Sequence, residues 1–310
     1  MAFQQSTSTH KLTSKQQAIV ALDQYPLYLR AGAGTGKTEV LIQKILYILN
    51  EQKEASLKNF GIITFTNKAT DEMRNRLSES LYKEWFALMQ GGTSNPHMDF
   101  LRSQAEITNM IDICTIHGFC ERLLRKHGLS IGIPLNYKIK SFRRDTTEIL
   151  NNIVSSHFEN LLLKGIPQYR ISKLIDILLT NNSNHGIVIE DSSAFTFNTP
   201  DNAYWNDFKR FYLNLYLEAY KQIESRKIEL NILTPNDLIR KAVLLLSDDY
   251  IATKVAEQYH YLFIDEFQDN ILSQPKNTPN KNTNKWHIAR FENNSHNYAG
   301  SALDLPIRSL

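Results

Sequence analysis

Apolar residues along this chain fall into short runs separated by stretches with helical spacing. The pattern predicts a buried strand in each of four runs: Leu27–Leu29, Gly61–Thr64, Ile111–Thr115 and Tyr261–Ile264. After the first run, Val40, Leu41, Ile45 and Leu49 recur at the three- and four-residue spacing of an amphipathic helix. Strands that alternate with helices favour an α/β fold with a parallel sheet, in which ligands bind beyond the carboxyl ends of the strands.

The middle of the chain, residues 127–230, is rich in helix-forming and aromatic residues. One stretch predicts an amphipathic helix with a crowded apolar face: Tyr212, Leu213, Leu215, Tyr216, Ala219 and Tyr220. Such a face is more often the core of a helical unit than a ligand site. Residues 275–310 differ from the rest, because seven asparagines lie between Asn277 and Asn297. That composition predicts a polar, disordered tail.

Composition sets broad limits on the class of protein. A chain of 310 residues with 42% hydrophobic content can bury a sizeable core. The net charge of +3 is too small to indicate a nucleic-acid partner by itself. There is no run of 18 apolar residues and the N-terminus is polar, so we expect a cytoplasmic protein without a membrane partner. Cys114 and Cys120 have no metal or redox spacing and are expected to be reduced and structural.

The segment Ala31–Thr38 reads AGAGTGKT and follows a predicted strand. Glycines in such a loop let backbone N–H groups surround phosphate oxygens, while Lys37 reaches the β- and γ-phosphates and Thr38 offers a hydroxyl to Mg²⁺. The strict pattern has Gly where this chain has Ala31, so the match is to a looser form. A plain glycine turn before an amphipathic helix is the alternative interpretation.

The segment Leu262–Asp269 reads LFIDEFQD and places two carboxylates, Asp265 and Glu266, at the end of an apolar run. Carboxylates at this point can hold Mg²⁺ and polarise a water molecule, which favours a nucleoside triphosphate site built from both segments. A small GTPase would also need an N-K-x-D segment that reads guanine. The nearest candidate, Asn67–Thr70, lacks the Asp.

Five motifs in order resemble the superfamily 1 DNA helicases of the UvrD/Rep type. They are LTSKQQ (Leu12–Gln17), AGAGTGKT, TFTNKAT (Thr64–Thr70) with its continuation to Arg76, TIHGF (Thr115–Phe119) and DEFQD (Asp265–Asp269) with Gln274. The fourth motif is also similar to the RecB/AddA branch, and the choice of branch stays open. The resemblance implies a P-loop NTPase of RecA-like fold, with a parallel sheet flanked by helices and an inserted α-helical subdomain.

The resemblance also implies roles for the nucleotide-site residues. Gln16 matches the glutamine that reads adenine, and Gln268 the residue that senses the γ-phosphate. Asp265 matches a ligand of Mg²⁺ together with Thr38, and Glu266 the base that orients the attacking water. The expected contacts to ATP come from Gln16, Ala33, Gly34, Thr35, Gly36, Lys37 and Thr38, and the expected catalytic set is Lys37, Asp265, Glu266 and Gln268.

In this family two further segments lie along single-stranded DNA. They correspond to Phe65, Thr66 and Asn67, and to Thr115, His117 and Gly118. An aromatic face can stack on a base, while hydroxyl and amide groups hold phosphates. Taken alone, Phe65 would more often be a core residue, and His117 a packed or capping histidine.

The resemblance predicts four segments. Residues 1–126 and 231–274 form the ATP-binding domain, 127–230 the helical insertion and 275–310 the tail. The resemblance stops near Gln274, so we expect a chain truncated before the second RecA-like domain, which a separate chain would supply. The predicted function is that of an ATP-dependent 3′–5′ DNA helicase, its ATP-binding portion coupling hydrolysis to movement on single-stranded DNA. The alternative is an ATP- and DNA-binding module without motor activity.

Overall fold

This computed structural model describes residues 12–23, 27–31, 34–52, 54–90, 96–157, 166–184, 203–265 and 287–293. The strands of the described part are β1 (Leu27–Ala31), β2 (Phe60–Thr64), β3 (Asp112–Thr115), β4 (Lys138–Ile139), β5 (Ile232–Leu233), β6 (Tyr261–Ile264) and β7 (His287–Asn293). The α-helices are α1 (Ser14–Ala21), α2 (Lys37–Glu51), α3 (Asn67–Gln90), α4 (Pro96–Ile107), α5 (Ile116–His127), α6 (Arg143–Ser156), α7 (Gln168–Asn184), α8 (Ala203–Glu229), α9 (Pro235–Leu246) and α10 (Asp249–Gln258).

Five strands form one parallel sheet in the order β1-β7-β6-β2-β3. All four strands predicted from the sequence belong to it, and the predicted parallel α/β sheet is confirmed. β6 has the predicted bounds, β1 continues to Ala31, β2 begins one residue earlier at Phe60, and β3 begins at Asp112. Because the strands are parallel, the segments that follow β1, β2, β3 and β6 all leave the same edge of the sheet.

Helices cover both faces of the sheet. Along β2, Ile62 packs with α2, α3 and α4, whereas the next residue, Ile63, packs with α5, α9 and α10. β6 alternates in the same way through Phe263 and Leu262. A strand buried on both faces reads as a continuous apolar run, which is why these strands could be predicted from the sequence. Full burial of each such side chain contributes about 1.5–3 kcal/mol.

The helices α6, α7 and α8 pack around a separate apolar cluster. Tyr212, Leu215 and Tyr216 of α8 are buried in it, which confirms that the aromatic face is core. We call these three helices the helical excursion. A short parallel ladder joins its two ends, because Lys138 of β4 pairs with Ile232 of β5. The backbone N–H of Lys138 also donates to the carbonyl of Asn231 at 2.7 Å.

Residues 287–293 differ from the prediction of a disordered tail, because they form β7 between β1 and β6. A central position in the sheet offers backbone partners on both sides, and this pairing outweighs the asparagine-rich composition around the strand. The other residues of 275–310 lie outside the described residues, and the predicted domain boundaries stay predictions. None of the described helices is long and apolar enough to cross a membrane.

Candidate nucleotide-binding site and the adjoining sheet edge

The loop between β1 and α2 has the backbone of a phosphate-binding turn. Gly34 and Gly36 have φ angles of 72° and 79°, in the left-handed region that favours glycine. Gly36 is the N-cap of α2 and forms no side-chain cap. The first turn of α2 therefore presents N–H groups and the positive end of the helix dipole toward the loop. Ala33 and the side chain of Ala31 lie outside the described residues.

Lys37 and Thr38 begin α2 at the same edge. The side chain of Lys37 is buried. The Thr38 hydroxyl donates to Oδ2 of Asp265 across 3.4 Å, so the two motifs meet in space. Asp265 directly follows β6 and is buried, and its backbone N–H donates to the carbonyl of Ile63 at 2.9 Å. This bond extends the pairing of β6 with β2 by one residue and fixes where the carboxylate emerges.

The oxygen pair of Thr38 and Asp265 fits Mg²⁺. This cation prefers oxygen ligands and is usually bound through one or two carboxylates, with water and phosphate oxygens completing its shell. In the part of the chain that the structure describes, no group of three or more His, Cys, Asp or Glu residues could hold a metal alone. Glu266 and Gln268 lie outside that part, so their roles stay predictions.

Gln16 lies against the phosphate loop. Its Nε2 donates to the carbonyl of Thr35 at 3.0 Å, and its Oε1 accepts from the backbone N–H of Thr13 at 2.8 Å. The second bond belongs to a capping box that begins α1. A primary amide has two donor hydrogens and two acceptor lone pairs, so one of each remains for an adenine edge. The structure thus brings Gln16, Thr35, Lys37, Thr38 and Asp265 together.

Lys44 is a residue that the sequence analysis missed. It lies on the apolar face of α2 with 1% of its surface exposed, and burial lowers its pKa. Its Nζ donates to the carbonyl of Val20 at 3.0 Å and to the carbonyl of Leu22. These carbonyls lie at the C-terminal end of α1, the helix that carries Gln16. The sequence did contain a signal for this buried lysine, because Lys44 lies three or four residues from the apolar residues Val40, Leu41 and Ile48 and therefore on the same helix face.

The segment after β2 projects from the sheet edge. Phe65 is 48% exposed, so the interpretation of Phe65 as a core residue is wrong. Thr66 and Asn67 are also exposed, at the start of α3. The buried hydroxyls of Thr64 and Thr70 are hydrogen-bonded to each other at 2.7 Å, and both lie within hydrogen-bond distance of the carbonyl of Thr66, at 3.2 and 3.1 Å. These bonds end the strand sharply and leave Phe65 pointing away from the core.

The segment after β3 lies beside it, because Thr115 pairs in register with Thr64. Thr115 is the N-cap of α5, and its hydroxyl accepts from the N–H of Gly118 at 3.2 Å. His117 is exposed in the first turn of that helix. The predicted residues of the second segment are therefore adjacent to those of the first. Cys114 and Cys120 are buried free thiols, and burial raises their pKa to about 11 and about 12.

Comparison with known proteins supports the assignment of the motifs. Residues 12–276 match the family model described as UvrD/REP helicase N-terminal domain. Similar curated proteins are named as one subunit of an ATP-dependent helicase/nuclease. One from Clostridium botulinum (strain Loch Maree / Type A3) is 35% identical over 133 residues, 43% of this chain and 10% of the relative. One from Bacillus cereus (strain AH187) is 27% identical over 252 residues, 80% of this chain and 18% of the relative. The chain thus spans less than a fifth of these relatives.

Proposed function

The chain belongs to the UvrD/REP helicase N-terminal domain family, and from that premise we propose that it is the ATP-binding portion of an ATP-dependent DNA helicase. The observation that carries the proposal is the contact of Thr38 with Asp265 at 3.4 Å beside a glycine loop. Neither motif alone requires a nucleotide. Their meeting at the carboxyl edge of a parallel sheet puts a glycine loop and a buried carboxylate in one place, which supports binding of a phosphate group and its metal ion there.

Each residue then has a defined task in the proposed ATP site. Backbone N–H groups of Gly34–Thr38 hold the phosphates, Lys37 neutralises their charge, and Gln16 reads the adenine edge. Thr38 and Asp265 would hold Mg²⁺, which when bound neutralises charge on the β- and γ-phosphates. We assign the orientation of the attacking water to Glu266 and the sensing of the γ-phosphate to Gln268. The burial of Lys37 and Asp265 strengthens their electrostatic interactions with the ligand.

The proposed ligand of the adjoining edge is single-stranded DNA. Phe65 offers an exposed aromatic face for base stacking. Polar groups come from the same loop and from the loop after the neighbouring strand: Thr66, Asn67, Thr115, His117 and Gly118. Stacking on an aromatic side chain contributes about 1–3 kcal/mol per base and tolerates any sequence. The two strands that carry these loops, β2 and β3, pair directly with each other, and β2 also pairs with β6, which leads to Asp265. A change at Asp265 therefore has a short route through β2 to the DNA edge.

In the proposed architecture the parallel sheet is RecA-like, and α6, α7 and α8 form the inserted subdomain within residues 127–230. The 3′–5′ polarity and the pairing with a second RecA-like domain are part of the same proposal. The relatives' name includes a nuclease, and we assign no nuclease activity to this chain. The second candidate is an ATP- and DNA-binding module without motor activity. The groups described at the site account for binding, whereas hydrolysis rests on Glu266 and Gln268, which lie outside the described residues.

The test is the rate of ATP hydrolysis by the purified chain with and without single-stranded DNA, with Lys37→Ala as the blank. A rate that DNA stimulates and that the substitution abolishes supports the enzyme. ATP binding with a rate equal to the blank supports the binding module. Failure to bind either ATP or DNA would overturn both candidates. The exposed Lys58 lies before β2, at the opposite edge of the sheet, so Lys58→Ala is the matched control for loss of a positive charge.

A further inference from the structure

The loops that carry Phe65 and Thr115 must keep a fixed separation if one strand of DNA is to contact both. On one side β2 and β3 are hydrogen-bonded neighbours that end together at Thr64 and Thr115. β3, however, is the edge strand of the sheet, and no strand of the described residues pairs with its outer side. The outer side of a short edge strand presents backbone groups that no neighbouring strand holds, so another group must bind them there.

Arg74 supplies that group. Its Nη2 donates to the carbonyl of Ile113, within β3, at 3.0 Å. Its Nη1 donates to the carbonyl of Thr108, in the turn before β3, at 2.9 Å. One planar guanidinium thus holds two backbone carbonyls that lie five residues apart along the chain. A lysine has one nitrogen at the end of its stem and cannot reproduce this fork.

The part of α3 that carries Arg74 is held in the core. Met73 and Leu77, which lie next to Arg74 on this helix, are fully buried, and Arg74 itself is half-buried. The same helix begins directly after Phe65 and Thr66, at the turn fixed by the Thr64 and Thr70 hydroxyls. Arg74 therefore connects the helix behind the first loop to the strand that leads into the second loop. The turn at Thr64 and the fork at Arg74 together define the distance between the loops.

We propose that Arg74 is a positioning residue for single-stranded DNA, which acts by holding the Thr115 loop beside the Phe65 loop and not by touching the nucleic acid. The proposal rests on the DNA-binding role assigned above. Both terminal nitrogens of the guanidinium are already engaged with protein carbonyls. The hydrogen bonds described for Arg74 go to the turn before β3 and to β3 itself, and none goes to the glycine loop. Its loss should therefore affect DNA and ATP unequally.

The experiment measures the affinity of the full chain for a labelled oligothymidine by fluorescence anisotropy over a range of salt concentrations. The variants are Arg74→Met, Arg74→Lys and Arg102→Met. Arg102 is the matched control because it forms an exposed pair with Glu106 on α4. We expect Arg74→Met to bind DNA on the order of tenfold more weakly than Arg102→Met. Affinity for a fluorescent ATP analogue should agree between the two variants within about twofold.

The salt dependence separates positioning from direct contact. A phosphate-binding arginine contributes about one unit to the slope of log affinity against log salt. We expect Arg74→Met and Arg102→Met to share one slope, and a slope lower by about one in Arg74→Met would overturn the proposal. Equal DNA affinities of these two variants would also overturn it while leaving the proposed function intact. A wild-type chain that binds ATP but no DNA would overturn the DNA-binding role itself.

Arg74→Lys decides the case if the methionine variant does not fold. It keeps the charge and an aliphatic stem but loses the fork. We expect weaker DNA binding than wild type at an unchanged salt slope and an unchanged affinity for the ATP analogue. DNA affinity equal to wild type would show that charge alone suffices and would overturn the positioning role.

Discussion

The hydroxyl of Thr38 lies 3.4 Å from a carboxylate oxygen of Asp265, a residue 227 positions later in the chain. The first belongs to the helix after β1 and the second to the end of β6. These strands are not neighbours, because β7 lies between them. The contact spans a gap of one strand at the carboxyl edge of the sheet. A magnesium ion and a triphosphate at this position would contact both segments at once.

Lys37→Ala and Glu266→Gln should separate binding from hydrolysis. We expect Lys37→Ala to weaken ATP binding by about 2–3 kcal/mol, because a charge-assisted contact to the phosphates is removed. Glu266→Gln should keep ATP binding and remove hydrolysis, because the amide cannot act as a base. Binding is measured with a fluorescent ATP analogue and hydrolysis by phosphate release. Unchanged hydrolysis in both variants would refute the site assignment.

Asp265→Asn should remove the magnesium dependence of nucleotide binding. The amide oxygen can still accept from Thr38, but its charge is lost and with it most of the attraction for the cation. We expect affinity for the ATP analogue in EDTA to match wild type, and the gain on adding Mg²⁺ to disappear. Asp207→Asn is the control, since Asp207 is an exposed residue of α8. A full magnesium gain in Asp265→Asn would exclude this carboxylate as a ligand.

Lys44→Met should loosen α1 and weaken the preference for adenine. Methionine fills a similar volume but leaves the carbonyls of Val20 and Leu22 without this donor, at about 1–3 kcal/mol for each buried group. Because α1 carries Gln16, we expect a lower ratio of ATP to GTP affinity, as in Gln16→Ala. Gln43→Met, one position earlier on α2, is the control. A wild-type ratio in Lys44→Met would contradict the link between these helices.

Asp237→Asn should destabilise the junction between α8 and α9. Asp237 pairs with Lys227 at 3.0 Å and Arg240 at 2.9 Å and is buried. Breaking a buried pair by removing one partner costs about 3–5 kcal/mol. Urea unfolding measures the loss. Glu257→Gln removes an exposed pair with Lys254 and is expected to change stability by less than about 1 kcal/mol.

The lowered pKa of Asp237 predicts that the stability of the fold depends on pH. Burial alone would raise the pKa of Asp237. The positive charges of Lys227 and Arg240 and the hydrogen bonds from Thr234 outweigh burial, so the pKa lies below its ordinary value of 3.8. A carboxyl group with a lowered folded-state pKa stabilises the fold in full above the unfolded value. That contribution is lost as the pH falls from 3.8 through the folded-state pKa. The stability difference between wild type and Asp237→Asn should shrink in this range, and a constant difference would contradict the assignment.

The sequence predicted the features that depend on local patterns. Tyr261–Ile264 was predicted as a strand because burial on both faces leaves a continuous apolar run. Arg74 was missed because its two carbonyl partners lie 34 and 39 residues away, and nothing in the local pattern marks such a contact. Phe65 looked like a core residue because the turn that exposes it depends on hydrogen bonds of Thr64 and Thr70. β7 was missed because its pairing partners, and not its composition, determine it.

The ladder between β4 and β5 affects the order in which the chain can fold. The sheet must join β6 to β2 across an intervening chain that includes eight of the described helices, α3 to α10, and closing a long loop costs conformational entropy. Pairing of Lys138 with Ile232 brings the two ends of the helical excursion together. Once α6, α7 and α8 have packed on one another, the loop that remains to be closed is much shorter. We therefore expect the helical excursion to fold early and to speed the arrival of Asp265 at the sheet.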